Sequence, residues 1–311
     1  MSIASGPTGG PVLIVGSVAY DSVRTPFGEV TEVLGGAASY ASVSASFFSP
    51  VRMVGVVGED FAYEHVATLA HRDIDLAGLQ RSSGKTFRWS GYYQYDLNQA
   101  HTIATELNVF QDFRPDLPES YRDTPYVFLA NIEPGLQLSV LDQMRRPKLV
   151  VCDTMNFWIE SAKERLLEVL ARCDIALMND AEAREITGEP NLITAARQVL
   201  DLGPGIAIIK KGEHGALMMS RESCFTAPSY PLEEIRDPTG AGDTFAGGLI
   251  GYLARCGETD DETLRRAVIA GSVMASFTVE DFSLDRLLRL SPEEVAERYH
   301  EIVAMTRFGA F

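Results

Sequence analysis

Cysteine is scarce in this chain, with four residues among 311. None of the four belongs to a C-x-x-C pair, and three lie in or beside apolar stretches, as buried thiols do. This usage argues against a disulfide framework and predicts reduced, structural thiols in a cytoplasmic protein. The five histidines show no H-E-x-x-H spacing, so a zinc site of that kind is not expected.

Basic residues are few relative to acidic ones, and long apolar runs are absent from the sequence. Lysine and arginine total 27 against 43 acids, for a formal net charge of −16, which disfavours binding to nucleic acid or an anionic membrane. No apolar run approaches the roughly 18 residues of a membrane span. The first ten residues, MSIASGPTGG, have neither the basic nor the apolar part of a signal peptide, and we expect a tail before the first strand.

Short, continuous apolar runs are what the sequence has in abundance. Such runs are typical of strands buried on both faces, and helical patterns separate them. This alternation predicts an α/β fold, with a mostly parallel sheet covered by helices on both sides. The runs are residues 11–17, 51–58, 126–132, 148–153, 174–179 and 205–212.

Two segments differ from this pattern. Residues 86–107 are aromatic and polar with rough alternation, which favours antiparallel strands with one wet face. Residues 18–34 contain strand-like pieces around a Pro-Phe-Gly turn. Together they predict a small second sheet beside the main one, within a single domain of residues 1–311.

Polar residues follow several of the predicted strands. In open α/β sheets, ligands bind beyond the carboxyl ends of the strands, so residues from distant parts of the chain could meet in one crevice. The residues at such ends are Asp21, Glu133, Asp153, Asn179 and Gly212.

The stretch RDPTGAGDTFAGG, residues 236–248, carries the strongest functional signal. Its glycines let backbone N–H groups approach an anion closely, and the apolar residues that follow predict a helix. Asp243 would then be a carboxylate at that helix start, kept ionised by the helix dipole. The alternative is a plain N-terminal cap with small residues for close packing, but it does not explain Asp237, Gly240 and Gly242 together.

This stretch resembles the C-terminal signature of the ribokinase/PfkB family of carbohydrate kinases. Further motifs follow the family's order over nearly the whole chain: GSVAYD, GGAASYASVSAS, VGVVGED, NDAE and KGEHG. The resemblance implies a ribokinase-like three-layer fold, in which residues 18–34 and 86–107 form a β lid. Through that lid it also allows a homodimer.

The resemblance assigns roles residue by residue. It implies that Asp243 is the general base and that Gly240, Ala241 and Gly242 form the anion hole for the transferred phosphoryl group. The positions matching the acceptor site are Asp21, Gly35, Gly36, Tyr40 and Glu133. The positions matching the ATP site are Asn179, Lys211, Gly212, Gly215, Thr239 and Gly242.

Two kinds of metal ion are implied by the same resemblance. Asn179 and Glu182 match the motif that organises Mg²⁺, mostly through water. Asp237, Thr239 and Ser283 match positions that can hold K⁺. Taken alone, Asn179 could be only a turn residue and Glu182 only a charge at a helix start.

The chain departs from the family at three places, one of which is a short first segment of the lid. Tyr40 stands where many members have an asparagine that binds sugar hydroxyls, which predicts an apolar wall and poor binding of ribose, unless the ring only packs between helices. Lys210 and Lys211 stand where many members have a small polar and an apolar residue. Because strand side chains alternate, one lysine should face the crevice.

These features predict an ATP-dependent phosphotransferase that acts on a hydroxyl of a small sugar or related polyol. A nucleoside kinase of the same family is the first alternative. A non-catalytic regulatory protein is the second, and the intact GAGD sequence with Asp243 argues against it.

Overall fold

Nine strands form the larger sheet in the computed structural model, which describes residues 9–309. Most of the predicted N-terminal tail, residues 1–8, lies outside that range. The nine strands are β1 (Val12–Val15), β4 (Val51–Val57), β5 (Ile74–Arg81), β8 (Tyr126–Leu129), β9 (Leu149–Asp153), β10 (Ile175–Asn179), β11 (Ile206–Lys210), β12 (Ala216–Ser220) and β13 (Cys224–Ala227). Their order across the sheet is β13-β12-β11-β10-β9-β8-β1-β4-β5.

The larger sheet is parallel from β5 to β11, and β12 and β13 join it antiparallel at one edge. This confirms the predicted α/β fold. The apolar runs did not indicate β5, β12 or β13. In β5 and β13 several side chains are exposed, which breaks the continuous apolar pattern of a strand buried on both faces.

Both faces of the larger sheet are covered by helices. Within β1, Val12 and Ile14 pack into one apolar cluster, whereas Leu13 and Val15 pack into another on the opposite face. The first face is covered by α1 (Ala37–Ala45), α2 (Tyr63–Ala70), α8 (Ala241–Cys256), α9 (Asp261–Thr278), α10 (Asp285–Arg289) and α11 (Pro292–Met305). The second is covered by α3 (Pro134–Gln143), α4 (Asn156–Ser161), α5 (Lys163–Leu170), α6 (Asp180–Thr187) and α7 (Leu192–Asp201). Across residues 9–309, none of these helices is both long and apolar enough to cross a membrane.

A second, four-stranded sheet is built from the two segments that the sequence set apart. Its strands are β2 (Ala19–Thr25), β3 (Gly28–Gly35), β6 (Phe87–Tyr93) and β7 (Ala100–Glu106), in the order β3-β2-β6-β7. The pairs β2–β3 and β6–β7 are antiparallel, as expected, while β2 and β6 run parallel to each other. The predicted second sheet is therefore present.

Close packing of α1 on α8 brings the two glycine-rich motifs together. A Cβ built on Gly247 would lie 2.2 Å from the Ala41 carbonyl oxygen, so the helix backbones touch at this point. The Ser44 hydroxyl also donates to the Thr244 carbonyl, 2.7 Å away. The small residues of the signature thus serve helix packing, and that packing fixes where the start of α8 lies.

Candidate active site

The start of α8 is an open helix N-terminus. Gly240 precedes the helix with φ of +75°, and a Cβ at this position would lie 2.5 Å from ring atoms of Tyr40, so only glycine fits. Among the described residues no side chain caps this helix. The first N–H groups of a helix have no carbonyl partner within it, so this start can accept an anion.

Asp243 lies in the first turn of α8 and has an unusual protonation equilibrium. Burial raises the pKa of this carboxyl to about 7, with a further rise from Asp153 and an opposing effect from Lys210. The expectation that the helix dipole keeps Asp243 ionised is therefore wrong. Loss of solvation and a neighbouring acid outweigh the dipole. A carboxylate with a pKa near 7 suits proton abstraction at neutral pH.

Lys210, at the end of β11, brings a positive charge to the same place. Its Nζ lies 2.6 Å from Oδ2 of Asp153, which ends β9. A Cβ built on Gly242 would lie 3.1 Å from that Nζ, so the ammonium faces the first turn of α8. Lys211 is the lysine implied for the ATP site. It does not line the cavity next to the start of α8 that is described below, and its N–H donates to the Gly215 carbonyl 2.8 Å away.

Asn179 and Glu182 form a reciprocal cap at the start of α6. The Glu182 N–H donates to Asn179 Oδ1 over 2.8 Å, and the Asn179 N–H donates to Glu182 Oε2 over 2.6 Å. Burial raises the pKa of Glu182 to about 7; Lys210 lowers it and Asp153 raises it. The pair therefore has the local capping role, and Glu182 is also within electrostatic reach of the charged groups beside α8.

Asp21, on β2, is buried next to the glycine pair that precedes α1. It is 5% exposed, and a Cβ on Gly35 would lie only 1.9 Å from its Oδ2, so a larger residue would collide with the carboxylate. Burial raises the pKa of Asp21 to about 7; the Gly36 N–H lowers it, and the charges of Asp237 and Asp243 raise it. Asp21 and Asp243 thus belong to one cluster.

Two tyrosines complete this cluster. Tyr40 is 1% exposed, with its ring against Gly240, so it packs in the helix interface and also borders the start of α8. Tyr93, on β6 of the smaller sheet, accepts a hydrogen bond from the Thr239 hydroxyl over 3.3 Å. Burial raises the pKa of Tyr93 to about 12, with Asp237 and Asp21 contributing. The smaller sheet therefore contacts the signature directly.

Asp237 has an unsatisfied oxygen in a buried position. The residue is 1% exposed; its Oδ1 accepts from the Thr239 N–H over 2.9 Å, while its Oδ2 has no partner at hydrogen-bond distance within residues 9–309. Burial raises the pKa of this carboxyl, whereas Thr239 and the nearby Ser283 N–H lower it. Ser283 is buried as well, and its hydroxyl donates to the Leu34 carbonyl. An orphaned buried carboxylate oxygen is the kind of atom that a bound cation satisfies.

Glu133 stands apart from these groups. It precedes α3, and its Oε2 accepts from the Leu136 N–H over 3.0 Å, which caps that helix. Its described contacts do not join it to Asp21 or Asp243. A role in acceptor binding stays a prediction for this residue.

A cavity of about 900 Å³ adjoins the start of α8. Lys210, Gly212, Gly215 and Gly242 line it, as does the β6–β7 loop, residues 95–98. The Asn98 side chain of that loop reaches so close to Gly212 that a Cβ there would lie 1.8 Å from its Oδ1. The second sheet therefore extends over the glycine turn at the end of β11.

The profile of the pfkB family carbohydrate kinases matches residues 12–287. The chain belongs to this family. It is therefore a kinase of a family that uses ATP on small-molecule acceptors, as the sequence predicted.

Individual members are similar to the chain over most of its length. A cytidine kinase of Thermococcus kodakarensis is 31% identical over 250 residues, which cover 78% of this chain and 88% of that protein. An inositol 3-kinase of Arabidopsis thaliana is 24% identical over 279 residues, or 86% of this chain and 74% of that protein.

The fold has close counterparts among solved structures. The Methanocaldococcus jannaschii nucleoside kinase, an archaeal member of the ribokinase family, superposes with a TM-score of 0.74 at 21% identity. The match covers 96% of this chain and all of that one. The predicted ribokinase-like fold is thus confirmed.

Sequence reasoning missed Tyr93 and the ion pair that joins Asp153 to Lys210. Asp153 and Lys210 meet only because β9 and β11 end on either side of β10, and Tyr93 reaches Thr239 across 146 residues of sequence. Strand alternation did predict that one of the two lysines faces the crevice, but not which one.

Proposed function

We propose that this pfkB-family kinase transfers the γ-phosphoryl group of ATP to a hydroxyl of a nucleoside. The observation that carries the proposal is the cluster in which Asp21 and Asp243 lie with two tyrosines beside an open helix start. Besides burial, the charges of Asp237 and Asp243 raise the pKa of Asp21, so acids surround this part of the cluster. An acceptor with a phosphate or carboxylate would meet repulsion there, whereas a neutral ribosyl group would find acceptors for its hydroxyls.

The predicted residues around the start of α8 have a place in this mechanism, whereas Glu133 has none. Asp21, with the Gly35–Gly36 backbone, holds the acceptor hydroxyls, and Asp243 takes the proton of the hydroxyl that attacks. The N–H groups of Gly240 and Gly242 stabilise the charge of the transferring phosphoryl group, and that of Ala241 joins them only if it gives up its hydrogen bond to the Pro238 carbonyl, 3.2 Å away. Phosphoryl transfer needs positioning and charge neutralisation more than covalent help, which suits a site of this kind.

The donor would occupy the cavity lined by Lys210 and the Gly212–Gly215 turn. Its volume of about 900 Å³ is ample for a nucleotide. In this proposal Asn179, Gly212, Gly215, Thr239 and Gly242 contact ATP. Lys211 contributes only if its side chain turns towards the cavity.

Two metal sites fit the donor groups that are present. Asn179 and Glu182, whose side-chain oxygens accept hydrogen bonds within their own cap, would hold Mg²⁺ mostly through water, and bound Mg²⁺ neutralises phosphate charge. Asp237, with its unpaired Oδ2, would hold K⁺ together with Thr239 and Ser283.

The smaller sheet is proposed to act as a lid. Its strand β6 brings Tyr93 to the signature, and its β6–β7 loop brings Asn98 over Gly212, so one element borders both substrate sites. Closure of such an element would exclude water that otherwise hydrolyses ATP. A homodimer through the lid and a cytoplasmic location stay predictions.

A small sugar or polyol is the second candidate acceptor. The similarity to an inositol 3-kinase over 86% of the chain favours it. The nucleoside comes first because the similarity to a cytidine kinase is higher, at 31% identity. Asp21 would bind hydroxyls of either kind of acceptor.

The test is Mg²⁺-dependent ADP release with a panel of cytidine, adenosine, inosine, myo-inositol, ribose and deoxyribose. We expect a nucleoside to give the highest kcat/KM and ribose to be poor. A sugar or inositol with the highest kcat/KM would overturn the nucleoside assignment. Release of no ADP with any acceptor would favour a non-catalytic role.

A further inference from the structure

Lys210 is a largely buried cation at the point where α8 begins. Its side chain is 17% exposed, and it is a wall of the cavity next to Gly242. The 3.1 Å between its Nζ and a Cβ built on Gly242 means that the ammonium faces the space in front of the first helical turn. An anion bound at that helix start would therefore lie beside the ammonium.

Asp153 holds this ammonium in position. Its side chain is 4% exposed and its Oδ2 lies 2.6 Å from Nζ, while its Oδ1 accepts from the Thr154 N–H over 3.0 Å. The Asp153 carbonyl accepts from the Gln137 side-chain amide over 3.1 Å. With both carboxylate oxygens and the carbonyl engaged, Asp153 has little freedom to move, and Lys210 is fixed through it.

The lysine keeps its charge despite its burial. Burial alone would lower the pKa of Lys210, but Asp153 and Glu182 outweigh that effect and the pKa lies above its usual value. A buried ion pair contributes little to stability by itself, because desolvation offsets the attraction. A location on the cavity wall, at a helix start, is better explained by contact with an anionic ligand.

We propose that Lys210 is a catalytic residue that donates a hydrogen bond to the transferring phosphoryl group, and that Asp153 is the positioning residue that aims it. This inference rests on the proposed kinase function. In the step, the acceptor oxygen bonds to the γ-phosphorus, the bond from that phosphorus to the β–γ bridging oxygen breaks, and ADP leaves. The hydroxyl proton goes to Asp243, and Lys210 keeps its own proton.

The experiment compares Lys210→Met with the wild type in nucleotide binding and in turnover. If Lys210 contacts the γ-phosphoryl group, its loss should weaken the binding of a non-hydrolysable ATP analogue by at least about tenfold. The binding of ADP should weaken by less than about threefold. In turnover, kcat should fall by about 10²-fold, while KM for the acceptor changes little. Lys163→Met is the matched control, since its ammonium donates to the Ile186 carbonyl 3.1 Å away, outside the cavity.

Lys210→Met leaves the Asp153 carboxylate buried without its partner and so could harm folding. The double variant Lys210→Met/Asp153→Asn removes that charge as well, and thermal melting of both variants identifies a folding defect. The double variant should bind the ATP analogue as weakly as Lys210→Met does, and its kcat should be as low. Asp153→Asn alone should lower kcat less than Lys210→Met does, because the cation remains but is less well aimed.

Several results would overturn the inference. One is a kcat within about threefold of the wild-type value in a folded Lys210 variant. Another is an equal loss of binding affinity for ADP and for the ATP analogue. The binding measurements need no acceptor, so they test Lys210 even if no member of the acceptor panel is phosphorylated. If the wild type phosphorylates an acceptor and the Lys210 variant does so at the same rate, the proposed role of Lys210 is refuted. The proposed kinase function would not be affected.

Discussion

The donor and acceptor halves of the site differ in charge. The donor half presents Lys210, the start of α8 and a glycine turn to the cavity, whereas its acids Asp153 and Glu182 are not among the lining residues, so the cavity wall favours anions. In the acceptor half, Asp21 and Asp237 are buried with two tyrosines. The Oδ2 atom of Asp237 has no partner at hydrogen-bond distance within the described chain. In the proposed mechanism, the phosphates enter from one side and a neutral polyhydroxy molecule from the other, with Asp243 between them.

Substitution at the junction of the two halves should have the largest effect. Asp243→Asn removes the proposed base while it keeps the size of the side chain. We expect kcat to fall by about 10²–10⁴-fold, the usual contribution of general base catalysis. Binding of ATP should persist, as measured by calorimetry. A variant that keeps near wild-type kcat would show that Asp243 is not the base.

Asp21→Asn should affect only the acceptor half. Loss of a charged hydrogen bond to substrate costs roughly 1–3 kcal/mol, so kcat/KM for the acceptor should fall by about 10–10²-fold. KM for ATP should stay near its wild-type value, because Asp21 lies among the acceptor groups. If Asp21→Asn impaired the use of ATP as much as the use of the acceptor, the division of the site into donor and acceptor halves would be wrong.

The choice of monovalent cation should change the rate more modestly. If the unpaired Oδ2 of Asp237 binds K⁺, turnover in potassium chloride should exceed turnover in sodium or caesium chloride at equal ionic strength. Initial rates at saturating substrates are the measurement. Asp237→Asn should reduce the difference between salts, and identical rates in all three would argue against the cation.

The smallest expected effect is on stability. Burial raises the pKa of Asp21, Glu182 and Asp243 to about 7, well above the value of about 4 in an unfolded chain. Between those values the folded state binds more protons, so these acids favour folding below about pH 4 and lose that contribution as pH rises through about 7. Their contribution to the melting temperature should fall between about pH 4 and pH 7.

Asp21→Asn, which cannot titrate, should make that fall shallower. Asp285→Asn, at an exposed position on α10, is the matched control and should leave the slope unchanged. Identical slopes in wild type and Asp21→Asn would contradict a raised pKa at Asp21.

Much of the fold was predictable because buried strands leave continuous apolar runs, and because glycines mark places where backbones meet. The edge strands β5 and β13 escaped because their exposed side chains interrupt such runs. The protonation of Asp243 was mispredicted because a helix dipole can be inferred from sequence, whereas the degree of burial and the approach of Asp153 cannot. The same holds for the ion pair of Lys210, which depends on how strands from distant segments line up.

Phosphorus NMR of a reaction with ATP, Mg²⁺ and a neutral nucleoside tests the central claim most directly. The account predicts a new phosphomonoester signal that grows one for one with ADP in the wild type and is nearly absent with Asp243→Asn. Formation of ADP with inorganic phosphate alone, or of a phosphomonoester at the same rate in both proteins, would contradict it.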